Sequence, residues 1–358
     1  MHRLLERAAP LALLATGLLS GASARADADA HWRIAVADRE EPVVRVIDVA
    51  DGREIGRFAT EAPAALRLGA SGTVVYAVQG NADLVQAIDS GIAFEDHGEH
   101  RDLTIGEPRL LDARLEGGKP SHFVAGSGRI AVFFDRDGRA AVVREADFLA
   151  GSDRPGWYDT AAPHHGVAAT AGAHVLVSVP DAEDPADGPD HIRVLDADGR
   201  PVGGDHACPD LHGEAVSASL KAIACATGLL LVTTTADGPA IEHLPYDAAL
   251  PEGKATTLAG GTSLQYFLGN FGPSAVVLIE PDAEPAFRLV ELPSRRVTFG
   301  IDPLRSENAY VMTEDGSLHP SAPPIVNATR FFHGIAARAH RGTPAPAATG
   351  NRPALTLS

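Results

Sequence analysis

Short runs dense in valine, isoleucine and leucine recur along the whole chain: RIAVAD (33–38), VVRVIDV (43–49), TVVYAV (73–78), RIAVFF (129–134), HVLVSV (174–179), HIRVLD (191–196), LLLVTT (229–234) and AVVLIE (275–280). Segments with a helical period are scarce. Between the runs stand Asp-Gly turn signals: DVADGRE, DRDGRA, DADGRP and TEDGSL. Period-two runs split by such turns predict antiparallel strands joined by hairpins. Many short strands at even spacing predict an all-β chain, either a sandwich array or a propeller.

The repeat decides between the two. Segments that open a new strand group begin near Pro63, Pro120, Pro163, Leu211, Ser263, Phe299 and His333. They recur about every 45 residues, the size of a four-stranded propeller blade. Seven starts predict seven blades. The last start, HGIAARA, is followed by no further strands, while residues 32–60 read as three strands that lack an innermost partner. The predicted fold is therefore a seven-bladed β-propeller closed by N- and C-terminal strands sharing one blade, which removes the open edges of a linear array. No Gly-His…Trp-Asp signature is present, so the likeness to WD40 repeats is one of architecture.

The ends add a location. MHRLLERAAPLALLATGLLSGASARADA has a basic start, an apolar stretch too short to span a bilayer, and small residues at a cleavage spacing. Residues 1–26 thus read as a secretory signal peptide, 27–340 as the propeller, and 341–358 as a flexible tail rich in Pro, Ala, Gly and Thr. Export to a periplasm follows. The formal net charge of −17 repels nucleic acid and anionic membrane surfaces. No membrane insertion is expected, and the chain is expected to be a monomer. Its two cysteines, Cys208 and Cys225, are expected to pair in an oxidising compartment. A loop of that length stabilises by about 3 kcal/mol on the chain-entropy estimate.

Histidine then recurs in one short context: KPSHFVA (119–125), APHHGVA (162–168), DLHGEA (210–215) and FFHGIA (331–336). In a propeller the innermost strands ring the central channel. His122, His165 and His212 fall at the entrance of that strand in three consecutive blades. Three imidazoles with a fourth position left open suit Zn²⁺. The competing reading is that each histidine hydrogen-bonds the backbone of a neighbouring blade. Ala65, Gln265 and Phe299 fill the equivalent places elsewhere, so the repeat itself does not require histidine. His333 shares the register in the closing blade and ranks below the trio; His164 should point away from the axis. A second cluster, FEDHGEHRD (94–102), offers His97, Glu99 and His100 as a weak auxiliary metal site, against a plain solvated acidic loop. No G-x-S-x-G, P-loop or dinucleotide fingerprint is present.

The three histidine-bearing blade starts and the loop EDHGEH resemble the periplasmic zinc metallochaperones of the AztD type, over most of the mature chain. The resemblance implies a seven-bladed propeller that binds Zn²⁺, with His122, His165 and His212 as ligands and His97 and His100 on the auxiliary loop. It implies delivery of zinc to the solute-binding protein of a zinc ABC transporter. Two other classes stay open on the residues alone: a zinc hydrolase or lyase, and a metal-free propeller that binds a protein on its rim.

Overall fold

The computed structural model describes residues 32–97, 101–152, 154–181, 188–261, 265–302, 308–320 and 354–355. They form seven blades in a propeller, plus one two-stranded ribbon. Blade I contains Arg33–Ala37, Val43–Asp48 and Glu54–Ala59; blade II Ala65–Leu68, Val74–Gln79, Leu84–Asp89 and Arg109–Glu116. Blade III holds Pro120–Gly126, Arg129–Phe134, Arg139–Arg144 and Gly156–Asp159; blade IV Ala168–Ala171, His174–Pro180, Pro189–Leu195 and His206–Ala207. Blade V comprises Glu214–Ser217, Leu220–Cys225, Gly228–Thr235 and Gly238–Pro245; blade VI Leu258–Gly260, Phe267–Asn270, Ala275–Ile279 and Phe287–Glu291. Blade VII shows three strands among the described residues, Arg296–Ile301, Ala309–Thr313 and Leu318–Pro320. All strand pairs within the blades are antiparallel, as the hairpin turns require.

Apolar contact between neighbouring blades builds the core. In Arg129–Phe134, Ile130, Val132 and Phe134 pack on blade II, while Ala131 and Phe133 pack on blade IV. Both faces of this strand are buried, so its sequence is an almost unbroken apolar run rather than an alternation. Leu220–Cys225 behaves alike: Ile223 and Cys225 face blade IV, and Ala222 and Ala224 face blade VI. The strict period-two reading holds better for outer strands such as Gly238–Pro245, which have one wet face. Packing blade on blade in this way forces the starts of successive innermost strands to lie side by side around one axis.

Two expectations change here. The closing strand expected near His333 lies elsewhere: His333 is outside the described residues, and Ala354–Leu355 pairs with Val36 and Ala37 at the inner edge of blade I. The pairing strand falls in the stretch expected to be a tail. Its sequence, PALTLS, alternates leucine with small or polar residues, a pattern suited to a strand. The blade starts placed at Ser263 and Phe299 also begin a few residues earlier, at Leu258 and Arg296. The predicted signal segment 1–26 lies outside the described residues. Among the described residues, no helix is long and apolar enough to cross a membrane.

The pairing at blade I makes a direct prediction. Truncation after Arg352 should raise amide hydrogen exchange in Arg33–Ala37 while leaving Arg129–Phe134 protected. Unchanged exchange in blade I would place the closing contact elsewhere.

Candidate metal centre

Three different local devices bring the predicted histidines together. His122 sits inside its strand, at a β-bulge: between the paired positions Pro120↔Phe134 and Phe123↔Val132, Ser121 and His122 together oppose the single residue Phe133. The extra residue re-aims the side chain, a common use of bulges. His165 lies in the loop entering blade IV. It is followed by Gly166, where a Cβ would come within 2.4 Å of Ser178 Oγ and 2.5 Å of His164 Nε2. His212 lies in the loop entering blade V and is followed by Gly213, at φ 92°, where a Cβ would stand 2.5 Å from the carbonyl oxygen of Thr256. Only glycine fits that approach.

The rings converge. His122 Nε2 and His165 Nε2 are 3.2 Å apart, and a ligand nitrogen of each of the three rings lies within 4.8 Å of the others. The other ring nitrogen is held in every case. His122 Nδ1 is 2.7 Å from Glu214 Oε2 of blade V, and His165 Nδ1 is 2.8 Å from Asp135 Oδ2 of blade III. His212 Nδ1 is 2.8 Å from the Thr256 carbonyl oxygen ahead of blade VI. With Nδ1–H donating to an oxygen, the Nε2 lone pair of each ring is left for a cation. This is the outer shell that commonly orients histidine ligands. Backbone hydrogen bonding, the competing expectation, does occur at His212, but through the nitrogen that faces away from the cluster.

The supporting groups are themselves fixed. Asp135 is buried, accepts hydrogen bonds from Ser121 Oγ and His165, and has Lys119 Nζ at 3.2 Å. Burial pushes its carboxyl up, but the hydrogen bonds from His165 and Ser121 and the neighbouring Lys119 outweigh that and hold it below the ordinary aspartate value. Thr256 is pinned by Asn270, whose side-chain oxygen accepts from the backbone N–H groups of Thr256 and Thr257 at 2.7 Å each. At His122, burial works against the charged ring, yet the charge and hydrogen bond of Glu214, aided by Asp135, prevail and raise its pKa above the usual histidine value. His165 is the more open ring, 46% exposed against 15% for His122.

His164 is buried and serves the loop. Its Nδ1 is 2.8 Å from the Ala162 carbonyl and its Nε2 is 2.8 Å from Ser178 Oγ, which in turn accepts the backbone N–H of Val167. Burial lowers its pKa, so the ring stays neutral. Both ends of the 94–102 segment belong to paired strands, Ile92–Asp96 with Arg101–Ile105. Register puts Ile92, Phe94, Leu103 and Ile105 on one face, and that apolar alternation explains the strands. His97 lies 3.3 Å from Asp102 Oδ2 and 3.8 Å from Glu95 Oε2. Glu99 and His100 lie outside the described residues. Among the described residues, His122, His165 and His212 form the one such three-ligand group, and no carboxylate joins it. The expected disulfide is present: Cys208 and Cys225 are bonded.

No protein-family model matches the chain. A zinc chaperone, AztD of Citrobacter koseri, is 45% identical over 302 residues, covering 84% of this chain and 72% of that protein. The chain belongs to the AztD family. Two crystal structures of Citrobacter koseri AztD, one described as apo, align at TM-scores of 0.78 and 0.77, with 45% identity over 81% of this chain and 78% of theirs. A hydrazine synthase chain from Kuenenia stuttgartiensis aligns at a TM-score of 0.52 with 11% identity, a likeness of fold alone. AztD family membership accords with the propeller.

Chemically, three Nε2 donors suit a borderline divalent ion. Protons compete for the same lone pairs, because only neutral imidazole ligates. Zinc affinity should therefore be full above neutral pH and fall as pH drops. The fall should begin above the ordinary histidine value of about 6.5, since Glu214 raises His122. Competition titration against a chelator across pH 5–8 checks this, with flat affinity as the contrary result. Asp135→Ala, which frees the His165 ring, should weaken zinc binding about 10- to 100-fold in the same titration.

Proposed function

We propose that this protein is a periplasmic zinc chaperone: it holds one Zn²⁺ on His122, His165 and His212 and hands it to the solute-binding protein of a zinc ABC transporter. The observation that carries the reading is the convergence of one ring nitrogen from each of the three histidines, Nε2 in His122 and His165, on rings that are each held by an oxygen on Nδ1. The name of the Citrobacter koseri relative, a zinc chaperone, supports the cargo. The signal-like residues 1–26 support the compartment.

The geometry suits a carrier better than a store. Three protein ligands leave a fourth coordination position for a donor from outside. An imidazole or carboxylate of the recipient enters there first, and the protein's own histidines then leave one at a time. His165, more exposed than His122, is the natural one of that pair to be exchanged first. Stepwise exchange avoids releasing the free ion, which is the purpose of a chaperone.

A zinc hydrolase would need a general acid or base beside the open position. The carboxylates bonded to the cluster, Asp135 and Glu214, are committed to imidazole Nδ1 atoms. The ribbon at 92–105 serves as an auxiliary capture point in this reading, supported by the two carboxylates beside His97.

Two measurements test the proposal. The His122→Ala/His165→Ala/His212→Ala variant should lose high-affinity zinc binding while keeping its cooperative thermal transition; unchanged binding removes this site. Mixed with a zinc-free solute-binding protein, the loaded chain should transfer zinc faster than it loses zinc to a chelator alone. Transfer no faster than free dissociation removes the chaperone role.

A further inference from the structure

The segment Cys208–Gly213 is hydrogen-bonded through the backbone at every residue, and it carries the His212 imidazole. Cys208 is bonded to Cys225 on the second strand of blade V, and both are fully buried. Its backbone N–H donates to the Asp190 carbonyl at 2.7 Å. The Pro209 carbonyl accepts from Ala226 N–H at 2.7 Å. Asp210, at φ 51°, is gripped by Lys254 twice: Nζ donates to its carbonyl at 2.8 Å and pairs with its carboxylate. Leu211 is buried and donates to the Pro189 carbonyl at 3.1 Å. His212 N–H donates to the Ala224 carbonyl at 3.0 Å, and Ala224 N–H donates back to the Gly213 carbonyl at 2.9 Å.

Neither of the other two ligand segments is tied covalently. The disulfide lies one position from the Ala224 contacts and four from His212, so it fixes the strand end against which the His212 backbone is registered. A positive φ at a non-glycine residue is a conformation that surrounding contacts must hold. Here Lys254, from the segment leading into blade VI, holds it. The carbonyl of Thr256, two residues beyond Lys254, is the one that receives His212 Nδ1. One short stretch therefore sets both the backbone and the ring of this ligand.

We propose that the Cys208–Cys225 disulfide and Lys254 are positioning groups for metal binding: they act through His212, holding its Nε2 at the cluster before the ion arrives. Preorganisation of this kind removes an ordering cost from binding, so its loss appears as weaker affinity. The proposal rests on the three-histidine zinc site and adds the source of its rigidity.

The test uses the full mature chain and Zn²⁺ alone, with affinity read by chelator competition. Wild type, Cys208→Ala/Cys225→Ala, Lys254→Met and His212→Ala are compared, together with each positioning change combined with His212→Ala. The disulfide variant should bind zinc about tenfold or more weakly, the scale of outer-shell effects. Lys254→Met, a change at a half-buried side chain outside the core clusters, should weaken it several-fold at an unchanged melting temperature. Neither should weaken binding further once His212 is already alanine. Co²⁺ loading gives a second readout: the visible band of both positioning variants should move towards that of His212→Ala. A disulfide variant that melts earlier yet binds normally overturns the proposal, as does an equal loss in the His212→Ala background. If the disulfide variant does not fold, the Lys254→Met comparison alone decides. If His212→Ala itself binds zinc like wild type, the three-histidine site fails, and the proposal fails with it.

Discussion

Three imidazoles face one point only if each ring is held by its other nitrogen. In this chain Glu214, Asp135 and the Thr256 carbonyl supply that hold. The remainder of the architecture serves to bring those three oxygens and three rings together. Every one of the contacts crosses from one blade to another or to the segment entering it. The centre is thus a property of the ring of blades and not of any single blade. A ring nitrogen with a free lone pair can be found on many surfaces, but three such nitrogens within 4.8 Å of one another require this cross-bracing.

Packing explains how the bracing arises. Blades whose middle strands are apolar on both faces, such as Arg129–Phe134 and Leu220–Cys225, are pressed against both neighbours. Their innermost strands must then begin side by side. A bulge at Ser121–His122, a glycine after His165 and a glycine after His212 convert that shared position into a shared direction. The three devices differ, and so does the freedom they leave. The backbone around His212 is bonded at Leu211, His212 and Gly213, His122 is part of a strand, and His165 is 46% exposed against 15% for His122. A carrier gains from such inequality, because the loosest ligand offers a route for exchange while the others keep the ion.

Much of this was legible in the residues. The spacing of turn signals and apolar runs carried the blade count. The recurrence of histidine in one context carried the convergence of the three imidazoles, because equivalent repeat positions are neighbours in a closed ring. The two cysteines carried the disulfide. Asp135 was not legible: it sits just after a second strand, in an Asp-Gly turn that reads like any other. Its role depends on which neighbouring loop lies above it. The Thr256 carbonyl carries no side-chain signal at all. The closing strand was misplaced because His333 matched the histidine register, whereas the short alternation in PALTLS is only a few residues long. The paired strands Ile92–Asp96 and Arg101–Ile105 carry a weak signal, because their apolar residues lie on one face only and the sequence between them is dense in charge.

A crystal structure of the zinc-loaded chain, with anomalous differences collected at the zinc edge, locates the ion. One strong peak is expected about 2.0–2.1 Å from the Nε2 atoms of His122, His165 and His212, with their Nδ1 atoms still on Glu214, Asp135 and Thr256. A principal peak at any other place, or one ligated through Nδ1, would contradict this arrangement.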